Sequence, residues 1–164
     1  MARYNKIFAA LDDGDTRLAV ARRALSIAHD NHAEVLFGHA INDAMLKQAG
    51  VSSDEIAEKN KQAIEESLER QLTRAMNDEC VPSVEIKSKA GNIEDVLAGF
   101  AKEFNPDLVI CGVRGLSDMK YAFVGSVSTF LIRNMECDVL VVRPEAIDEI
   151  DEADYAQAEE AARK

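Results

Sequence analysis

Leu108-Val-Ile-Cys111 runs directly into Gly112-Val-Arg-Gly115, and after nine more residues Gly125-Ser126 opens Val127-Ser-Thr-Phe-Leu-Ile132. An apolar run, a glycine-punctuated loop and a second periodic stretch read as a buried strand, a turn and the start of a helix. Glycine lets backbone come close to a ligand. The first turn of a helix carries N–H groups without intrahelical partners and a partial positive charge. Together they make an anion site, most often for phosphate. Gly125, Ser126, Val127 and Ser128 would offer backbone N–H groups there, with the two hydroxyls as further donors. A plain helix cap, which serine also favours, is the competing reading.

Outward from this unit the same alternation repeats. Ile7-Phe-Ala-Ala-Leu11 is a short strand ending in Asp12-Asp-Gly-Asp-Thr16, a turn with cap residues. Leu18 to His29 reads as a helix and Glu34 to Ile41 as a second strand. Residues 42–51 form a connection without a clear pattern. Ser52 and Glu55 have the spacing of a capping box. It opens one long charged helix in which Ile56, Ala63, Ile64, Leu68, Leu72, Ala75 and Met76 recur on one face. Val84, Ile86 and Ser88 alternate with polar residues, which suits a sheet edge. Asn92 is placed to cap a helix carrying Ile93, Val96, Leu97, Phe100 and Phe104, and Asn105-Pro106 ends it. Val139 to Val142 is the fifth strand.

Strands alternating with helices predict an α/β fold: one doubly wound domain, a parallel sheet with helices on both faces. Crossovers in such sheets are right-handed. Ligands sit beyond the carboxyl ends of the strands, where strand order reverses. If strands 1 and 4 are neighbours at that point, Asp12 and the glycine loop face one crevice.

Composition narrows the function. The chain has 164 residues, enough for one domain with a proper core, and 47% are hydrophobic. A formal charge of −11 argues against direct binding to nucleic acid or to an anionic membrane. It leaves room for a phosphate-bearing small molecule held by backbone N–H groups. Cys80, Cys111 and Cys137 are isolated and make no disulfide framework. No CxxC or HxxxH pair occurs, so spacing alone leads us to expect no metal site. The N-terminus enters a strand without an apolar signal-peptide region, and no run approaches the ~20 apolar residues of a membrane span. A cytoplasmic protein is the expectation. From Glu145 the composition shifts to Asp, Glu and Ala, so residues 145–164 are expected to be an acidic tail apart from a domain at 1–144.

At this point the chain resembles the universal stress protein family, over about residues 4–144. Strand 1 runs into Asp12 as it does there. Strand 2 ends in His39-Ala-Ile-Asn42, similar to the family's His-Val-hydrophobic-Asp. Gly112-x2-Gly115-x9-Gly125-Ser126 matches the family's ATP-binding pattern without a gap. Ser126-Val-Ser128 and Cys137-Asp-Val-Leu-Val-Val-Arg143 resemble its closing helix and strand. The resemblance implies a five-stranded sheet of order 3-2-1-4-5 and a homodimer through strand 5. It also implies bound ATP, with ADP or AMP as alternatives and magnesium as a companion ion. It departs in two places. Asp13 stands in an Asp12-Asp13-Gly14 turn where many members have Asp-Gly-Ser, and its carboxylate would repel phosphate if it pointed inward. Asp138 stands where proline is common.

The resemblance carries binding roles to Ala10 and Asp12 at the end of strand 1, Ala40 in strand 2, Gly112, Arg114 and Gly115 in the loop, and Gly125, Ser126, Val127 and Ser128. Asp12 would meet a ribose hydroxyl, or simply hold its turn. Ala40 would lend main-chain groups to adenine, and Arg114 would face phosphate or solvent. His39 reads as a structural strand histidine, Cys111 as a small hydrophobe under the loop, and His29 and His32 as favourable near a helix end. Neither a Walker A lysine nor a GxGxxG follows the strands, and no general base stands beside a nucleophile. Binding and sensing are therefore favoured over turnover. An interaction module without nucleotide and a slow ATPase remain open.

Overall fold

A computed structural model describes residues 3–14, 16–113 and 125–143. Five strands form one sheet: β1 (Lys6–Ala10), β2 (Glu34–Asn42), β3 (Val84–Gly91), β4 (Leu108–Gly112) and β5 (Asp138–Val142). The helices are α1 (Thr16–Asn31), α2 (Ala44–Ala49), α3 (Ser53–Ser67), α4 (Glu69–Met76), α5 (Ile93–Phe104) and α6 (Ser126–Asn134). Sheet order is β3-β2-β1-β4-β5 and every pairing is parallel, as expected. The order reverses between β1 and β4, where Ala10 stands opposite Cys111.

β1 is central and buried on both faces, so its side chains divide between two cores. Ile7, Ala9 and Leu11 face α1, α3 and α4, together with Val20, Ala24, Ala28, Phe37, Ile64 and Leu68. Phe8 and Ala10 face the other way, with Val109, Cys111, Leu97, Phe100 of α5 and Leu131 of α6. The alanines on the buried side of α1 bring the helix close to the sheet. β3 lies at the edge, as its alternation suggests, and Ser88 on it donates to Asn60 of α3 at 2.9 Å.

Helix ends follow local chemistry. The Asn92 side chain accepts from the N–H of Asp95 at 3.1 Å, the cap its position suggests. Asn105 closes α5 in the left-handed region at φ 53°. His32 takes that role after α1 at φ 56°, and the Ala33 N–H returns to the Ala28 carbonyl at 3.0 Å. That is the bond of a Schellman motif, and it turns the chain into β2.

Three expectations are corrected. The long charged helix is two helices. Leu68 leaves the helical range at φ −110°, ψ 13°, while the Ser67 hydroxyl bonds the Ile64 carbonyl. The break keeps Ile64, Leu68 and Ala75 buried but turns Met76 outward, 80% exposed. No capping box forms: Ser52 makes no side-chain cap bond, and Glu55 pairs forward with Lys59 at 2.9 Å. Residues 42–51 hold a short helix, α2, closed by Gly50 at φ 67°. No helix among the described residues is long and apolar enough to cross a membrane. The acidic residues 145–164 lie outside the described residues.

Candidate functional site

The carboxyl ends of β1 and β4 open on a cavity of about 360 Å³. Its floor is Ala10, Cys111 and Gly112. Asp12, Asp13, Gly14 and Thr16 form one wall, and His39 and Ala40 of β2 continue it. Ile93 and Leu97 of α5 form the apolar side, and Gly125, Val127 and Ser128 bring in the start of α6. This volume lies within the range of small-molecule sites.

Each part is placed by a few bonds. Beyond β1, the Leu11 N–H reaches the Gly38 carbonyl at 2.8 Å and fixes the turn to β2. The Asp12 carboxylate then accepts twice, from the Gly14 N–H at 2.9 Å and the Thr16 hydroxyl at 2.6 Å. This is the turn-holding role, and it aligns the first turn of α1. Arg17 braces the same corner. Its Nε donates to the Asp12 carbonyl at 2.8 Å and its terminal nitrogen to the Asp13 carboxylate at 3.0 Å. The additional carboxylate of Asp13 therefore has its own cation beside it.

Gly112 is required by packing. A Cβ built there would lie 2.6 Å from the Cβ of Thr16 and closer still to its hydroxyl oxygen. Only glycine lets β4 run beneath α1 at this point. The Gly112 carbonyl accepts from the Ser128 hydroxyl at 2.9 Å, which ties α6 to the end of β4. What Ser128 then offers a ligand is its N–H. The N-cap of α6 is Gly125, with no side-chain cap bond, and the first bond within the helix is Thr129 N–H to Gly125 carbonyl at 2.9 Å. The N–H groups of Ser126, Val127 and Ser128 thus have no hydrogen-bond partner among the described residues, as the first N–H groups of a helix lack intrahelical ones.

His39 is 3% exposed. Its Nε2 lies 3.1 Å from the Asp13 carboxylate, and its Nδ1 is buried without a hydrogen-bond partner among the described residues. Burial pushes its pKa below the ordinary imidazole value, against the opposing pull of Asp13. The ring is neutral at pH 7. Because the carboxylate accepts, Nε2 carries the proton and Nδ1 the lone pair. Burial likewise pushes the Cys111 thiol up, so it packs as a neutral group under the cavity.

Of the residues singled out from the sequence, Ala10, Asp12, Ala40, Gly112, Gly125, Val127 and Ser128 line this one cavity. Ser126 is exposed at its rim, at the first position of α6. Arg114 and Gly115 lie outside the described residues. Sequence reading missed Thr16, Ile93 and Leu97 as walls. Ile93 and Leu97, one turn apart, looked like ordinary core positions, but the start of α5 overhangs the crevice. His39 could have been found from its place beside the carboxyl end of the central strand.

Comparison with known proteins agrees with this fold. Residues 3–143 match the model of the universal stress protein family. A Staphylococcus aureus (strain USA300) relative named for that family is 31% identical over 148 residues, 90% of this chain and 89% of its own length. Among solved structures, a universal stress protein from Lactobacillus plantarum superposes with a TM-score of 0.68 at 21% identity, covering 87% of this chain and all of that one. Another, solved in complex with cAMP, gives 0.63 at 23% identity over 87% of this chain and 98% of its own. At these identities the structures speak for the fold.

Proposed function

The chain belongs to the universal stress protein family, and on that premise we propose that it is a nucleotide-binding regulator whose ligand is ATP. The observation that carries this is the start of α6, without a side-chain cap, whose first-turn N–H groups meet the cavity at the switch point of the sheet. The phosphates lie over Gly125, Ser126, Val127 and Ser128, and Gly112 and Gly115, having no side chain, would let backbone approach them. Arg114 adds a positive charge to the loop. Adenine packs between Ala10, Ala40 and the apolar side of α5, with main-chain groups of Ala40 on its polar edge. The spare lone pairs of Asp12 accept from ribose. Magnesium on the phosphates offsets their charge near Asp12 and Asp13. A fold neighbour solved in complex with cAMP supports a nucleotide as the class of ligand.

The described residues favour binding over turnover. Both oxygens of Asp12 already accept hydrogen bonds, and the His39 lone pair, on Nδ1, is buried away from any water it would need to activate. The test is titration calorimetry with ATP, ADP, AMP and cAMP, each with and without magnesium, alongside thermal melts. One ATP per chain is expected, with stabilisation of about 2.7 kcal/mol at a ligand concentration a hundred times the Kd. No heat and no shift at millimolar ATP would sink the reading.

The assembly proposed with it is a homodimer through β5. The Val142 carbonyl accepts from the Val113 N–H at 2.9 Å, so residue 142 faces β4. By strand alternation, the N–H of Val141 points to the open edge of the sheet. Antiparallel pairing about a two-fold axis would close it. Val141→Pro removes that outward donor and leaves the β4 ladder intact. Light scattering should give a dimer for the wild type and a dissociation constant raised at least tenfold for the variant. A wild-type monomer at micromolar concentration would refute the interface.

A further inference from the structure

We propose that His29, Asp78 and Cys80 form a binding site for one divalent cation of the zinc class, at the end of the sheet opposite the nucleotide crevice. The three come together through the fold. α1 starts at the carboxyl end of β1 and runs back along the sheet, which puts His29, in its last turn, beside the amino ends of the strands. Asp78 and Cys80 lie in the connection from α4 to β3, which returns to that same end.

The ligand atoms, an imidazole nitrogen, a carboxylate oxygen and a thiol sulfur, all lie within 4.8 Å of one another. His29 Nδ1 is 2.6 Å from the Asp78 carboxylate, whose other oxygen accepts from the Cys80 N–H at 2.9 Å. The backbone bond orients the carboxylate, as supporting contacts do in metal sites. Zinc bonds of about 2.0–2.3 Å set tetrahedral ligand atoms roughly 3.3–3.7 Å apart. The contact between His29 and Asp78 must open, and the half-exposed His29 ring is free to swing. A fourth, open position is left for water.

Softness and charge select the metal. A mixed nitrogen, oxygen and sulfur set suits zinc and disfavours magnesium or calcium, which take oxygen alone. Carboxylate and thiolate match the charge of a divalent ion, and Glu79 and the carboxyl ends of α1 and α4 add negative potential. Arg22 and Arg74 oppose it from a cavity of about 460 Å³ beside the site, which also gives the ion a way in. Cysteine ligates zinc as the thiolate. Binding therefore exchanges the sulfur proton for the metal. Because ligands bind deprotonated, affinity rises with pH.

The experiment is titration of zinc chloride into the full-length, metal-free protein, with cobalt as a spectroscopic probe. One zinc per chain is expected, with release of at least one proton. Cobalt should give a near-ultraviolet thiolate charge-transfer band that Cys80→Ser abolishes. Cys80→Ser and His29→Ala should each weaken zinc binding tenfold or more, while Cys137→Ser should not. His29 is exposed, so its variant keeps the test open if Cys80→Ser folds poorly. No binding at micromolar zinc, half a zinc per chain, or a His29→Ala variant that binds as wild type would overturn the site.

Discussion

Gly38→Ala is expected to destabilise the protein by about 3 kcal/mol, a fall of roughly 10 °C in melting temperature for a chain of this size. Gly38 stands on β2 opposite Ala10, the last residue of β1. A methyl group there would meet the Phe8 ring, with Cζ at 2.9 Å, and Phe100 Cδ2 at 3.1 Å. Phe8 is fully buried, and the two rings meet edge to face with centroids 6.5 Å apart. Neither can retreat without opening the core between the sheet and α5. Paired thermal and urea unfolding would measure the loss. A change below about 1 kcal/mol would mean that the rings yield easily and that this face is packed loosely.

Gly112→Ala is expected to abolish nucleotide binding, at least a hundredfold in Kd, and to cost about 2 kcal/mol of stability. The new methyl group would displace Thr16, break its 2.6 Å bond to Asp12 and push the first turn of α1 into the cavity. Calorimetry separates the two effects. The control is the double variant with Thr16→Gly, which removes the obstruction and should recover part of the stability through a favourable coupling between neighbours. If Gly112→Ala alone binds ATP as wild type does, the floor of the cavity is not where the ligand rests.

The sheet was legible because strands buried on both faces are unbroken apolar runs. Ile7 to Leu11 and Leu108 to Cys111 need no tertiary knowledge to be read. The helix spanning 53–76 misled because periodicity records which residues are apolar, not whether the axis bends. Leu68 fits one continuous stripe and is nonetheless a break. The capping box failed for a similar reason: Glu55 had Lys59 within reach as well as the backbone, and the salt bridge won. At the site, glycine spacing located the crevice. It could not show that Gly112 is demanded by Thr16, nor that Ser128 spends its hydroxyl on a carbonyl. The His29, Asp78 and Cys80 cluster was invisible for a plainer reason. Forty-nine residues separate the histidine from the aspartate, and only the return of the chain brings them together.

The central position of β1 also bears on synthesis. One edge of β1 pairs with β2, some thirty residues on, and the other waits for β4. Asp107 then locks that second edge, accepting from the N–H groups of Asn5 at 2.8 Å and Lys6 at 3.1 Å. The separation is about a hundred residues, so loop closure is costly and slow. While the ribosome is still making the first two-thirds of the chain, the central strand of the sheet has a bare side. The nascent protein must be kept from its neighbours until residue 112 has emerged, and the crevice between β1 and β4 does not exist before that moment.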